Sequence, residues 1–153
     1  DMWGGFSGDF AALSGAAQVR ARRDHARDLL VTIAAVQRGV TCTREDRGYA
    51  LVGSVDELVS VCAWISPALA QLRGMGYDLA LHRHGGPPPP GPHMDEAAWT
   101  ATVVPSPSSD LPHYAVGTGI GDGSGVVYVS SQAFTCAVGA TTCTWPADAR
   151  KLR

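Results

Sequence analysis

The stretch Gly85-Gly86-Pro87-Pro88-Pro89-Pro90-Gly91-Pro92 limits the fold more than any other part of the chain. Five prolines and three glycines in eight residues cannot continue a helix, since proline lacks an N–H and clashes with the preceding turn. They cannot form a central strand either, because each proline deletes a ladder hydrogen bond. The segment is a stiff loop, too short to link two domains. At 153 residues the chain has single-domain length and can bury roughly 70% of its unfolded surface around one core. Residues 1–15, rich in Gly and Ser with scattered aromatics, read as an extended arm, and 16–153 as one globular domain.

Before the loop the periodicity is helical. Val19, Ala26, Leu29, Leu30, Ile33, Ala34 and Val36 recur at three- and four-residue steps, predicting a helix over Ala16–Arg38 that Gly39 stops. Ser54, with Glu57 three residues on, has the pattern of a capping box for a second helix. Its core side would be Val55, Leu58, Val59, Cys62, Ile65 and Leu69, interrupted at Ser66-Pro67 by a kink or a fresh start with Pro67 in the first turn. Strand patterns fall on Val40–Thr43, Tyr49–Val52, Tyr77–Leu81, Ala101–Val104, Tyr114–Gly117, Val126–Ser130 and Ala133–Val138. A short helix can begin at Asp95 and run to Trp99, and Gly117–Gly125 reads as a hairpin tip. The class is α/β in the α+β sense: a mixed sheet with a main helix on each side.

Charge and cysteine content narrow the function classes. Only 17% of residues are charged, against about 25% in a typical soluble domain, which suits a secreted protein, a particle component or a piece of a larger chain. The net charge of −2 carries no nucleic-acid footprint. Arg20, Arg22, Arg23 and Arg27 alternate with Asp24 and Asp28 as on a solvated helix face, and a second basic group is the tail Arg150-Lys151-Leu152-Arg153. No run of about 18 apolar residues is present, so no membrane span is expected, and the first residues lack the regions of a signal peptide. The four cysteines, Cys42, Cys62, Cys136 and Cys143, allow three pairings and include no Cys-x-x-Cys. One or two disulfides and four buried thiols fit equally well, with a local Cys136–Cys143 bridge among the options.

Several chemical motifs are incomplete. The glycines of 117–125 alternate instead of following a phosphate-loop spacing, and a strand follows them. His25 is expected to be exposed on the charged side of the first helix, and His113 opens a strand. His82 and His84 are different, because an i, i+2 pair at a strand end puts both imidazoles on one face, as a grip on one cation requires. Asp95, eleven residues after His84 across the rigid loop, can supply a carboxylate. Two His and one carboxylate leave a zinc position open for water, which the metal would acidify for attack on a carbonyl.

The run Leu81-His82-Arg83-His84-Gly85-Gly86, the Pro-rich loop and Asp95 before Ala97-Ala98 resemble the H-x-H…S-x-x-D motif of the JAMM (MPN+/JAB) metalloprotease domain. Glu45-Asp46-Arg47-Gly48 before Leu51-Val52-Gly53 resembles the segment that carries that family's catalytic glutamate, and the similarity spans roughly residues 16–130. The resemblance implies a JAB-like fold, zinc held by His82, His84 and Asp95, Glu45 as general base, and hydrolysis of a peptide or isopeptide bond in a protein or peptide substrate. The family's serine stands three residues before the aspartate, where this chain has Pro92. Its oxyanion support would fall to His93 or a backbone N–H, and loss of one such donor typically costs on the order of a hundredfold in rate. A degenerate, non-catalytic domain is therefore the companion expectation. The reading from another class is a non-enzymatic secreted or particle-associated module stabilised by disulfides.

Overall fold

The computed structural model describes residues 9–42, 52–84, 98–106, 110–117, 126–135, 144 and 146–152. Three helices come first in the chain: α1 (Gly15–Gln37), α2 (Val55–Val61) and α3 (Ser66–Gly74), with a short 3-10 turn, Ala63–Ile65, between the last two. Five strands follow: β1 (Tyr77–His84), β2 (Ala98–Pro105), β3 (His113–Val116), β4 (Tyr128–Ser130) and β5 (Arg150–Lys151).

Helix α1 lies within one residue of its predicted span at each end. Ser14 caps it by accepting from the Ala17 N–H at 3.3 Å. At the other end Gly39 takes φ 75°, and the Val40 N–H reaches back to the Ala35 carbonyl at 2.9 Å. The Gly39 N–H reaches Val36 O at 3.0 Å, so the last carbonyls are satisfied by a left-handed glycine. The Ser54 cap also forms: its Oγ accepts from the Glu57 N–H at 3.1 Å, while the Glu57 carboxylate accepts from the Gly53 N–H at 3.3 Å. The second helix ends earlier than expected, at Val61 with Cys62 as its cap, and the expected fresh start follows in α3, with Pro67 in its first turn. Among the described residues no single helix is long and apolar enough to cross a membrane; α2 and α3 reach that composition only together, and they are bent by 117°.

The sheet corrects two expectations. Every described pairing is antiparallel, in the order β1-β2-β3-β4-β5, where a mixed sheet was expected. Parallel neighbours need a long crossover, usually helical, between strands; here all three described helices precede β1. The helices also share one side of the sheet, where one on each side was expected. Alternation puts Tyr77, Leu79 and Leu81 of β1 on the same face as Trp99, Ala101 and Val103 of β2, Tyr114 and Val116 of β3 and Val129 of β4. These residues form one core cluster with Ala26, Leu29, Leu30 and Ile33 of α1, Leu58 of α2 and Leu69 and Leu72 of α3. Ala115, on the opposite face, packs instead with Tyr128 of β4 and with Phe134 and Ala149 of the segment after β4.

Smaller differences have local causes. Trp99, expected at the end of a short helix, lies within β2 as the largest fully buried side chain, because its period-2 neighbours Ala101 and Val103 share its face. The expected strand at Val40–Thr43 does not form over its described residues 40–42: Cys42 has φ 57° and is joined to Cys62 by a disulfide with Cα atoms 5.5 Å apart. Val52 is in no strand. It is clamped by the buried Gln37 side chain, whose Oε1 accepts from the Val52 N–H and whose Nε2 donates to the Val52 carbonyl, both at 2.8 Å. Of the expected strand at Ala133–Val138, the described part holds an isolated bridge between Thr135 and Thr144. The two-residue strand β5 had no counterpart among the expected strands.

Candidate functional site

The proposed metal set is described only in part. His82 lies near the end of β1, half-buried and opposite Thr100, on the face away from the helices. His84 is the last residue of the same strand, its backbone opposite Ala98, and its side chain lies outside the described residues. Glu45 and Asp95 also lie outside them, as do Pro92, Cys136 and Cys143. Among the described residues no three His, Cys, Asp or Glu side chains converge on a point that could hold a metal ion. Of the three expected ligands, only the His82 side chain is among the described residues.

Two other histidines have structural surroundings. His25, expected on an exposed helix face, is fully buried, and its Nε2–H donates to the Ala68 carbonyl of α3 at 2.9 Å. The sequence held a signal for this: His25 stands four residues before Leu29 and eight before Ile33, in the apolar stripe of α1. Burial holds its pKa below the ordinary imidazole value, opposed by the bond to Ala68 and by Asp28. His113 opens β3 as expected, and desolvation lowers its pKa as well.

The described residues do bring one group of charged side chains together. Across the sheet, Leu79, Val103, Tyr114, Val129 and Arg150 form a single cross-strand row on the helix-facing side. The row is apolar until its last member, where the edge strand β5 supplies a cation. There, Arg150, Lys151 and Leu152 line a cavity of about 570 Å³ with Val129 of β4 and Arg23 of α1. Three of the lining residues are cationic and two are aliphatic. Such a volume lies within the roughly 300–1,000 Å³ range of small-molecule sites.

The acidic residues near this cavity are engaged in different ways. Asp24 pairs with Arg23 at 3.3 Å and with Arg27 at 3.5 Å, in half-exposed contacts of the kind that contribute about 1 kcal/mol or less. Asp148, two residues before Arg150, accepts from the Ser130 and Ser131 hydroxyls and, at 3.0 Å, from the Ser131 N–H. The hydroxyls, foremost that of Ser130, hold its carboxyl down to about 2, so it stays ionised. This Ser–Asp group ties the segment before β5 to the end of β4. It also occupies the carboxylate nearest in sequence to Arg150 and Lys151, neither of which forms an ion pair among the described residues.

The sequence showed Arg23 as one charge of a helix face and Arg150-Lys151 as part of a basic tail, with nothing local to place them side by side. Their meeting depends on β5 joining β4 through the register Val129 opposite Arg150. The Arg22 side chain, from the same run as Arg23, turns the other way. It lies over the Phe10 ring at 4.9 Å and donates to the Met75 carbonyl at 3.0 Å, so it serves packing. No family model, curated protein or solved structure matches the chain.

Proposed function

We propose that the chain is a non-enzymatic binding module, stabilised by a disulfide and working in an oxidising compartment. The observation that carries this reading is the Cys42–Cys62 bridge, which joins the segment after α1 to the residue that ends α2. Disulfides persist in secreted and extracellular settings and are rare where thiols are kept reduced. With its ends 20 positions apart in sequence, the bridge restricts the unfolded chain by about 3 kcal/mol in the chain-entropy account. The low charge content and the cationic cavity support a binding role over a catalytic one.

Alkylation and mass spectrometry of protein taken from its native compartment test the reading. The expected outcome is one linked Cys42–Cys62 peptide that separates only on reduction, with reduction lowering stability by about 3 kcal/mol. Alkylation of both thiols without reductant would overturn it.

A second reading, a zinc-dependent peptide or isopeptide hydrolase of JAMM-like type, is favoured by one feature: β1 remains a strand through His84, so His82 and His84 occupy alternate positions of one strand. Here His82, His84 and Asp95 would hold zinc, which would supply an acidified water, and Glu45 would take its proton. One equivalent of zinc that survives Glu45→Gln while hydrolysis is lost would establish it. Zinc below about a tenth of an equivalent after reconstitution would remove it.

A further inference from the structure

We propose that the cavity between α1 and the β4–β5 edge binds a small organic oxyanion: a phosphate or carboxylate group carried on a short apolar body. The inference deepens the binding-module reading and rests on it. Arg23, Arg150 and Lys151 converge on one cavity from two elements far apart in sequence. Arginine presents a planar fork of donors that matches the oxygens of carboxylate and phosphate, and lysine adds a point charge.

The charge balance of the site is what selects an anion. Asp148, the carboxylate nearest in sequence, is held by Ser130 and Ser131, and Asp24 faces Arg23 and Arg27. With Asp24 shared between Arg23 and Arg27 and Asp148 tied to the serines, Arg150 and Lys151 have no ion-pair partner among the described residues, which leaves positive charge for a ligand to offset. Val129 and Leu152 form the aliphatic part of the wall. A bare inorganic anion would leave that part in contact with water, whereas a short alkyl chain attached to the oxyanion covers it and removes apolar surface from water. A neutral ligand of the same shape would leave Arg150 and Lys151 without an ionic partner among the described residues.

Calorimetric titration of the full chain at low salt, where screening is weakest, tests the proposal with hexyl phosphate, hexanoate, inorganic phosphate and hexanol. Hexyl phosphate is expected to bind most tightly, hexanoate more weakly, and hexanol without detectable heat. Arg150→Gln and Lys151→Gln are each expected to weaken hexyl phosphate by about three- to tenfold, in line with the loss of one charge-assisted hydrogen bond at an open site. Arg150→Lys should restore part of that loss. Arg73→Gln, whose cation pairs with Asp78 beyond α3, should bind as the parent does. Both glutamine positions are exposed, so the fold survives the changes.

Absence of heat with both organic anions overturns the proposal, as does hexanol or inorganic phosphate binding as tightly as hexyl phosphate. Unchanged affinity in both glutamine variants overturns it as well. These results are separable from failure of the underlying reading, which would show in the thiol mapping and the zinc analysis while the titration is unaffected.

Discussion

The two faces of the sheet are buried by different means. On the helix-facing side, residues at alternate positions of β1, β2 and β3 are large and apolar, and they meet the apolar stripes of three helices in one continuous core. On the other side the corresponding row is Ala80, Thr102, Ala115 and Tyr128, small or polar for the most part. Thr100, Thr102 and Ala115 are nonetheless 0%, 3% and 0% exposed. Ala115 is covered by Phe134 and Ala149, from the segment that returns after β4. One face is buried by amphipathic elements that match each other, the other by a return of the chain. The first kind of burial can be read from periodicity; the second depends on where a later segment lands.

Replacing the anchor of each face is the largest test of this contrast. Trp99→Ala, which removes the largest fully buried side chain from the helix-facing core, should cost about 3–5 kcal/mol in denaturant unfolding. Phe134→Ala should cost less, about 1.5–3 kcal/mol, because Phe134 packs against a small cluster able to close over the gap. Equal losses at the two positions would break the distinction.

Gly117 joins the two faces, since it lets the end of β3 approach the β2 backbone. It has φ 143°, and a Cβ there would meet the Trp99 carbonyl oxygen and lie 2.8 Å from Thr100 Cα. Gly117→Ala should therefore destabilise by about 2–3 kcal/mol through backbone displacement. A loss no larger than that of an ordinary surface change, under about 0.5 kcal/mol, would show that β3 and β2 can separate locally without cost to either face.

The smallest expected effect compares one histidine from the helix layer with one from the opposite face. Burial lowers the folded-state pKa of both His25 and His113 from 6.5. Below 6.5 the unfolded chain takes up protons that the folded chain does not. The stability these groups contribute is thus complete above 6.5 and lost as pH falls from there through the folded values. Melting temperature should decline with acidification in that window, and His25→Gln should flatten the decline more than His113→Gln, since His25 is fully buried and His113 is not. The reverse order would place the titrating burden on the second face.

A good part of the helical half was legible in advance. The stripe of α1, the Gly39 stop, the Ser54 cap with Glu57 and the restart at Pro67 all act within a few residues, so their signals lie next to one another in the chain. His25 was misread because its charged sequence neighbours outweighed its place in the stripe. Of the candidate metal set, the extended backbone at His82 and His84 was legible, while Glu45 and Asp95 fall outside the described residues. The cationic cavity had no local signal, because it is made by residues from opposite ends of the chain.

By itself, the sequence determined where helices begin and end and that the segment around Pro87–Pro90 can be neither helix nor central strand. Caps, breakers and side-chain periodicity are short-range constraints on the backbone. Only the tertiary structure decided that the described strands run antiparallel in chain order and that the helices share one face. It also paired Cys42 with Cys62 and brought Arg150 and Arg23 to the lining of one cavity. Each of those outcomes depends on contacts between distant residues, whose free energy is realised only after the loops between them close.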